Sequence, residues 1–397
     1  MNRHKESRWL VVLGAVLVQI CLGSIYTWSL FNQPLIDKFG WEQSAIVLTF
    51  SITVAMFAFS TIFAGKLQNK IGPKKVAILG GLLLGIGLIL SSKATSLIEL
   101  YIYYGVIGGT GVGTAYVAPL TTCIKWFPEK RGLITGIAVS SFGLGSLIFK
   151  SIVLNLILTV GVSQTFLYLG VINIILIVLG AQTLVIPPKG YETTGVTETG
   201  ESNSKDYTMT QMINTKQFYL LWIPYFLGCI SGLLIIGLAN DIGIELVNLT
   251  PAIAASAITV IALFNAGGRL AWGVVSDKIG RKKSLLILYL ITSLAMVVMS
   301  TVTMTTVIFF VIVSIIALSF GGVVTVVPAI TADYYGVKNL GSNYGIVFQA
   351  FGIAAIAGPI IATNFGLNNS FLIAAALSIV SMMITLFIKP PLALSRS

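Results

Sequence analysis

Along this 397-residue chain, runs of about twenty apolar residues alternate with short polar loops, and twelve such runs can be counted. They lie at roughly 9–35, 44–65, 76–95, 99–124, 132–158, 164–187, 217–243, 250–275, 284–304, 307–332, 341–364 and 368–388. At a rise of about 1.5 Å per residue, a run of this length covers a hydrocarbon core about 30 Å thick. The pattern therefore predicts an all-α membrane protein with twelve transmembrane helices. One polar stretch is much longer than the others. Residues 189–216 (KGYETTGVTETGESNSKDYTMTQMINTK) are rich in Thr, Ser, Gly and Glu and nearly free of aliphatics, the composition of a flexible linker. It divides the chain into an expected six-helix bundle over 1–188 and a second over 217–397.

Composition agrees with the pattern. Charged residues make up 9% and hydrophobic residues 56%, with a mean hydropathy of +0.95, values outside the range of soluble domains. The net charge of +11 would suggest a nucleic-acid partner only if the basic residues shared one folded surface. Instead, 20 of the 24 Lys and Arg fall in the N-terminus, alternate loops and the C-terminus, while the opposite loops hold only Lys38 and Lys93. That is the positive-inside distribution. It excludes a nucleic-acid reading and predicts that both termini, and the linker, are cytoplasmic. MNRHKESR before the first span resembles the n-region of a signal peptide, yet the apolar run is too long for an h-region and no small-residue cleavage site follows. Helix 1 is expected to be retained. Cys21, Cys123 and Cys229 have no paired spacing, so neither a disulfide framework nor a metal site is expected, and no cofactor.

The two halves repeat. GKLQNKIGPKK (65–75) matches GVVSDKIGRKK (273–283) with six identities in eleven at an offset of 208, and the pairs Pro119/Pro328 and Gly136/Gly345 recur at 209. Same-sense repeats of six helices are the arrangement of transporters whose halves are related by an axis along the membrane normal, with the cargo site near the midplane. Glycines crowd helix 4 (Gly105, Gly108, Gly109, Gly111, Gly113) and helix 5 (Gly136, Gly143, Gly145), giving small surfaces for close helix packing.

Arg269 is the candidate for chemistry. It lies in FNAGGRLAWGVV, about eight residues before the second basic loop, and a central intramembrane Arg costs from about 2.5 to more than 10 kcal/mol unless it faces a cavity and an anion. No Asp or Glu falls in the middle of a predicted span, so the expected anion is the cargo. A guanidinium grips a carboxylate through two parallel charge-assisted bonds, a fork Lys cannot supply. Asn265 lies one turn earlier on the same helix face. The spans hold neither the acid–base set nor the metal cluster of an enzyme, and one Arg on one helix lacks the ring symmetry of a channel filter. Lys150, about 19 residues beyond Arg131 and so near the outer interface at about 1.5 Å per residue, either snorkels to headgroups or supplies a second cation.

The paired loops resemble the G-x-L-x-D-R-x-G-R-R signature of the major facilitator superfamily, the second copy keeping its acid as Asp277 while the first has Asn69. Within that superfamily, GSIYTWSLF (23–31), GTGVGTAYVAP (109–119), KWFPEKRGLITGIAVSSFGLGS (125–146) and the helix 8 Arg resemble the oxalate/formate antiporter family and the related monocarboxylate transporters. The resemblance implies a secondary carrier of small carboxylates in the cytoplasmic membrane, working as a monomer by alternating access and coupled to protons or a counter-anion.

It also implies residue roles. Tyr26 and Tyr116 stand where that family gathers aromatic rings around the carboxylate, whereas Trp28, about 200° around helix 1 from Tyr26, is expected to face lipid or serve packing. Asn265 replaces the Asp of proton-coupled monocarboxylate transporters, and the one His is His4, which argues against a side-chain proton relay. NYGIVFQAFGIAAIAGP (343–359) lacks the second cation of the oxalate carriers, with Gln349 and Phe351 in its neighbourhood. One fixed charge suits lactate, pyruvate or formate better than oxalate, since a second buried carboxylate would lack a partner. Oxalate exchange through Lys150, or a non-transporting sensor of the same fold, are the competing readings. Asp277, with Arg281 in the same loop, is expected to clasp neighbouring helix ends on the cytoplasmic side, and Asn69 to make the matching clasp weaker.

Overall fold

The computed structural model describes residues 2–188, 191 and 206–391, so 189, 190 and 192–205 of the expected linker lie outside the described residues, and its described end, 206–216, carries a short helix at Met209–Ile213. Every regular element among these is helical: α1 (Asn2–Leu22), α2 (Ser29–Phe39), α3 (Gln43–Ile71), α4 (Pro73–Ser91), α5 (Leu97–Leu100), α6 (Gly109–Trp126), α7 (Arg131–Ala181), α8 (Met209–Ile213), α9 (Lys216–Glu245), α10 (Pro251–Ile279), α11 (Arg281–Thr301), α12 (Thr306–Tyr335), α13 (Leu340–Val347), α14 (Gln349–Phe365) and α15 (Leu367–Thr385). Ten helices among the described residues are long and apolar enough to cross a membrane.

Their surfaces fit that solvent. Leu158, Val307, Phe387 and Leu294 project outward while Gln19, Thr49, Asn173 and Asn343 are fully buried, the reverse of a water-soluble surface. Interior hydroxyls turn back on their own helices, as Thr53 donates to the Thr49 carbonyl at 2.8 Å and Thr122 to that of Ala118 at 2.6 Å. Polar groups in hydrocarbon must find such partners internally.

Three features depart from the sequence pattern, and a fourth decides between the two roles expected for Trp28 in favour of packing. The first expected span, 9–35, is α1 and α2 joined by a 3-10 turn at Gly23–Thr27; there, a methyl group on Gly23 would sit 1.9 Å from the Phe142 carbonyl oxygen, so the chain passes α7 backbone to backbone. The spans expected at 132–158 and 164–187 form one 51-residue helix broken only at Gly161 (φ 79°, ψ 167°), where glycine's tolerance of positive φ replaces a loop. The segment 97–126 contains a π-helical stretch, Tyr101–Gly108, between α5 and α6, a form that apolar periodicity does not signal. Trp28 does not face lipid: it is 3% exposed, and its ring lies 4.4 Å from that of Tyr104 and 6.0 Å from that of Phe31.

The chain divides into two compact units. The first comprises Met1–Pro128, Ser141–Thr194 and Asn339–Gly352; the second comprises Glu129–Ser140, Gly195–Lys338 and Ile353–Ser397. In the first unit α3 and α4 pack on α6, and α13 packs on α3. In the second, α10 packs on α12, and α9 and α11 pack on α15 around a core that includes Leu234, Met296, Phe309 and Phe371.

Candidate functional site

The second unit holds Arg269 where helix backbones nearly touch. A methyl group on Gly136 of α7 would lie 2.5 Å from the Arg269 carbonyl oxygen, and one on Gly273 of α10 would lie 2.5 Å from that of Gly132. On the α12 side, a methyl on Gly321 would approach the Asn265 carbonyl to 2.2 Å, and one on Gly268 that of Leu318 to 2.1 Å. Glycine at these four positions lets α10 be gripped by α7 and α12 at the height of Arg269. The Arg269 side chain is buried, 5% exposed, and its Nη1 donates to the carbonyl oxygen of Val139. One residue on, Ser140 Oγ donates to the Ala266 carbonyl at 2.8 Å. Asn265, one turn before Arg269, is buried as well, at 6% exposed. A permanent cation meets a carbonyl dipole here, in a setting where a bidentate acid anion would be a stronger acceptor.

The first unit gathers aromatic rings. Tyr116 lies 5.1 Å from Phe57, 5.3 Å from Phe142 and 5.2 Å from Phe348 between ring centroids. Tyr26 lies edge-on to Phe142 at 5.3 Å, and Phe351 stacks on Phe348 at 5.0 Å. Tyr26, Tyr116 and Phe351 are thus brought into one cluster. Phe57, Phe142 and Phe348 were missed from the sequence, although the repeat offsets flag two of them: Phe57 is the mate of Asn265 at 208, and Phe142 that of Phe351 at 209. Gln349 has a different engagement, its Nε2 donating to the carbonyls of Ala58 at 2.7 Å and Gly345 at 2.8 Å and to Thr61 Oγ1 at 3.2 Å. Lys150 is exposed on α7.

Asp277 caps the start of α7. Its carboxylate accepts from the Gly132 and Leu133 amides, both at 2.9 Å, where the free N–H groups and helix dipole favour an anion. Arg281 pairs with Asp277 at 2.6 Å and with Asp333 at 2.9 Å, and Arg131 pairs with Asp333 at 2.7 Å. Among the described residues, Asn69 makes a 3.4 Å amide contact with Asn339 and no ion pair. Sequence reasoning missed Asp333 and Arg131. Their signal is again the repeat: the mates of Arg281, Asp333 and Arg131 are the uncharged Pro73 (offset 208), Ile124 and Leu340 (209), so the charged set exists in one copy only.

Apolar membrane-length helices, a sequence-level internal repeat and a buried arginine define a multi-pass membrane protein of the transporter kind. The chain belongs to the Major Facilitator Superfamily, whose family model matches residues 11–359 and again 227–397. It is 38% identical over 357 residues to the uncharacterized MFS-type transporter YhjX of Escherichia coli, covering 89% of this chain and 87% of the relative. It is 30% identical over 390 residues to the oxalate:formate antiporter of Oxalobacter formigenes, covering 97% and 92%. Mouse monocarboxylate transporter 12 matches at 24% over 414 residues, covering 96% and 85%. The solved structure of the proton:xylose symporter XylE superposes with a TM-score of 0.72 at 15% identity over 97% of each chain, a likeness of fold.

Proposed function

We propose that this protein is a secondary active transporter that carries a small monocarboxylate, of the formate, lactate or pyruvate class, across the cytoplasmic membrane by alternating access. The observation that carries the reading is Arg269, a guanidinium 5% exposed at the middle of a membrane helix, with Asn265 one turn away. Its cargo role is to take the carboxylate bidentately, which also offsets the cation's own cost of burial. Tyr26 and Tyr116 offer hydroxyl donors and ring faces to the acid's short carbon skeleton, and Phe351 with its neighbours limits the size of that skeleton. Relatives named as an oxalate:formate antiporter and monocarboxylate transporters support the substrate class. The coupling partner in this reading is a proton taken up with the cargo or a counter-anion exchanged for it, and the monomer is the working unit.

Twelve spans in two bundles, 1–188 and 217–397, joined by a cytoplasmic linker and with both termini cytoplasmic, belong to the same proposal. In its support, the 54-residue apolar stretch Pro128–Ala181 is broken at Gly161 and at about 1.5 Å per residue is far too long for one crossing of about 30 Å, while 97–126 is of a length for one. Asp277 and Arg281 would hold the cytoplasmic end of α10 to the start of α7, with Asn69 as the weaker counterpart. Gln349 fits a helix-packing role better than a cargo role, because the two hydrogens of its amide nitrogen are already shared among three acceptors within 3.2 Å.

Exchange of oxalate for formate is the second reading, favoured by the 30% identity to the Oxalobacter protein; Lys150 is its candidate second cation. Counterflow of radiolabelled formate, lactate, pyruvate and oxalate in proteoliposomes tests both. We expect saturable uptake of a monocarboxylate that Arg269→Lys reduces at least about tenfold, the loss of one charge-assisted fork at roughly 1.5–3 kcal/mol. Undiminished transport by Arg269→Lys would reject the site, and oxalate counterflow abolished by Lys150→Gln would favour the exchanger.

A further inference from the structure

Among the tight helix crossings of each unit, one has a repeat mate in the other unit that follows a similar plan. In the first unit, a methyl on Gly345 would lie 2.5 Å from the Thr61 carbonyl oxygen of α3; in the second, a methyl on Gly136 would lie 2.5 Å from that of Arg269 on α10. Gly345 and Gly136 are mates at 209, and Arg269 and Thr61 at 208. Beside each of these glycines two side-chain hydrogen bonds run in opposite directions, and the α7–α10 pair is joined again about one turn away through Asp277. In the first unit, Thr61 Oγ1 shares its hydrogen between the Ala58 carbonyl of its own helix at 2.7 Å and the Gly345 carbonyl at 3.1 Å, and Gln349 Nε2 donates to the Ala58 carbonyl at 2.7 Å. In the second, Arg269 Nη1 donates to the Val139 carbonyl and Ser140 Oγ to the Ala266 carbonyl at 2.8 Å. Ser140 and Gln349 are mates at 209, and Ala266 and Ala58 at 208. Three of the four positions correspond between the copies; at the first the donor has changed from a hydroxyl to a guanidinium, and its acceptor lies three residues further along, Val139 being the mate of Phe348 and not of Gly345.

That change has a chemical consequence. A threonine hydroxyl satisfied by a carbonyl has no reason to leave it. A guanidinium satisfied by a carbonyl would exchange that dipole for a carboxylate, which brings a full opposite charge and a second parallel bond where the carbonyl offers only a dipole. We propose that the Val139 carbonyl is an internal competitor for the cargo's carboxylate, and that Ser140 is a positioning residue that holds it in place. Arrival of the anion draws Arg269 off Val139 and leaves Ser140 as the tie beside Gly136, with Asp277 still holding the start of α7 to α10, while the crossing in the first unit keeps both of its bonds. Binding therefore loosens one crossing and not its mate. The Val139 carbonyl that Arg269 meets is part of the helix contact itself, which links occupancy of the site to the packing of α7. The inference rests on the reading of Arg269 as the cargo site.

Ser140→Ala separates the alternatives. With its strut gone, α7 holds the Val139 carbonyl on Arg269 less firmly, the internal competitor weakens, and the cargo binds more easily. Loss of one buried hydrogen bond corresponds to an effect of about two- to tenfold, so KM for whichever of formate, lactate or oxalate shows counterflow should fall by that factor. The midpoint of a thermal-shift titration of the purified variant with the same anion should move in the same direction. Thr61→Val, which removes a strut of the other crossing at the position matching Arg269 and at nearly constant volume, should leave KM where it was. A KM that Ser140→Ala leaves unmoved or raises would overturn the proposal, as would equal shifts in both variants, which would signify general loosening. The two failures are distinguishable: wild-type counterflow in Arg269→Gln, or no saturable uptake of any of the three anions, removes the site reading and the competitor with it, whereas loss of transport in Arg269→Gln beside an unmoved KM in Ser140→Ala removes only the competitor.

Discussion

At the scale of single residues, charge is concentrated rather than distributed. Arg131, Asp277, Arg281 and Asp333 form one connected set, and two backbone amides at the start of α7 end on Asp277. Their repeat mates carry no charge, and among the described residues Asn69 has a long amide contact and no ion pair. We predict that Asp277→Ala lowers the thermal stability of the purified protein by on the order of 2–3 kcal/mol, the cost of stripping an anion from two amides and a guanidinium, whereas Asn69→Ala changes it little. Melting curves of the two variants in the same detergent check this; equal destabilisation would contradict the asymmetry. Asp277 and Arg281 were legible in the loop signature. Asp333 and Arg131 were not, because an acid near the end of one span and a base at the start of another are joined only by folding.

At the scale of elements, apolar run length located the helices well and their breaks poorly. Hydrophobicity does not distinguish a loop from a single positive-φ glycine, so Gly161 was hidden between two expected spans. Nor does it signal the 3-10 turn at Gly23–Thr27 or the π-helical stretch before α6. Aromatic residues were half legible: Tyr26, Tyr116 and Phe351 came from motif resemblance, while Phe57, Phe142 and Phe348 read as ordinary apolar positions until packing joined them. Glycine roles separate at this scale too. Gly136 has the Arg269 carbonyl 2.5 Å from where its Cβ would be, and Gly267, two residues from Arg269, has nothing within 4 Å. Gly136→Ala is therefore expected to push α7 from α10 and abolish transport, and Gly267→Ala to be tolerated or to stabilise the helix by about 0.5–1 kcal/mol. Uptake assays and melting curves on the pair decide it; the opposite ranking would mean that the crossing is not tightly packed in the working protein.

At the scale of the whole molecule, two sequence repeats with one scaffold carry different chemistry. Position 265/57 is an amide in one copy and a phenyl ring in the other, and position 269/61 a guanidinium and a hydroxyl. The membrane class, the repeat and the family were legible because they are written in composition, spacing and motif. The local contacts of Arg269 were not, since its acceptor is a backbone carbonyl on a helix 130 residues away in sequence. The central claim is that this guanidinium binds a carboxylate anion. The measurement that tests it most directly is a formate titration of the purified protein followed by thermal shift, alongside Arg269→Gln. The account predicts saturable stabilisation of the wild type that is absent from the variant. A titration of Arg269→Gln that saturates at the wild-type midpoint would contradict it.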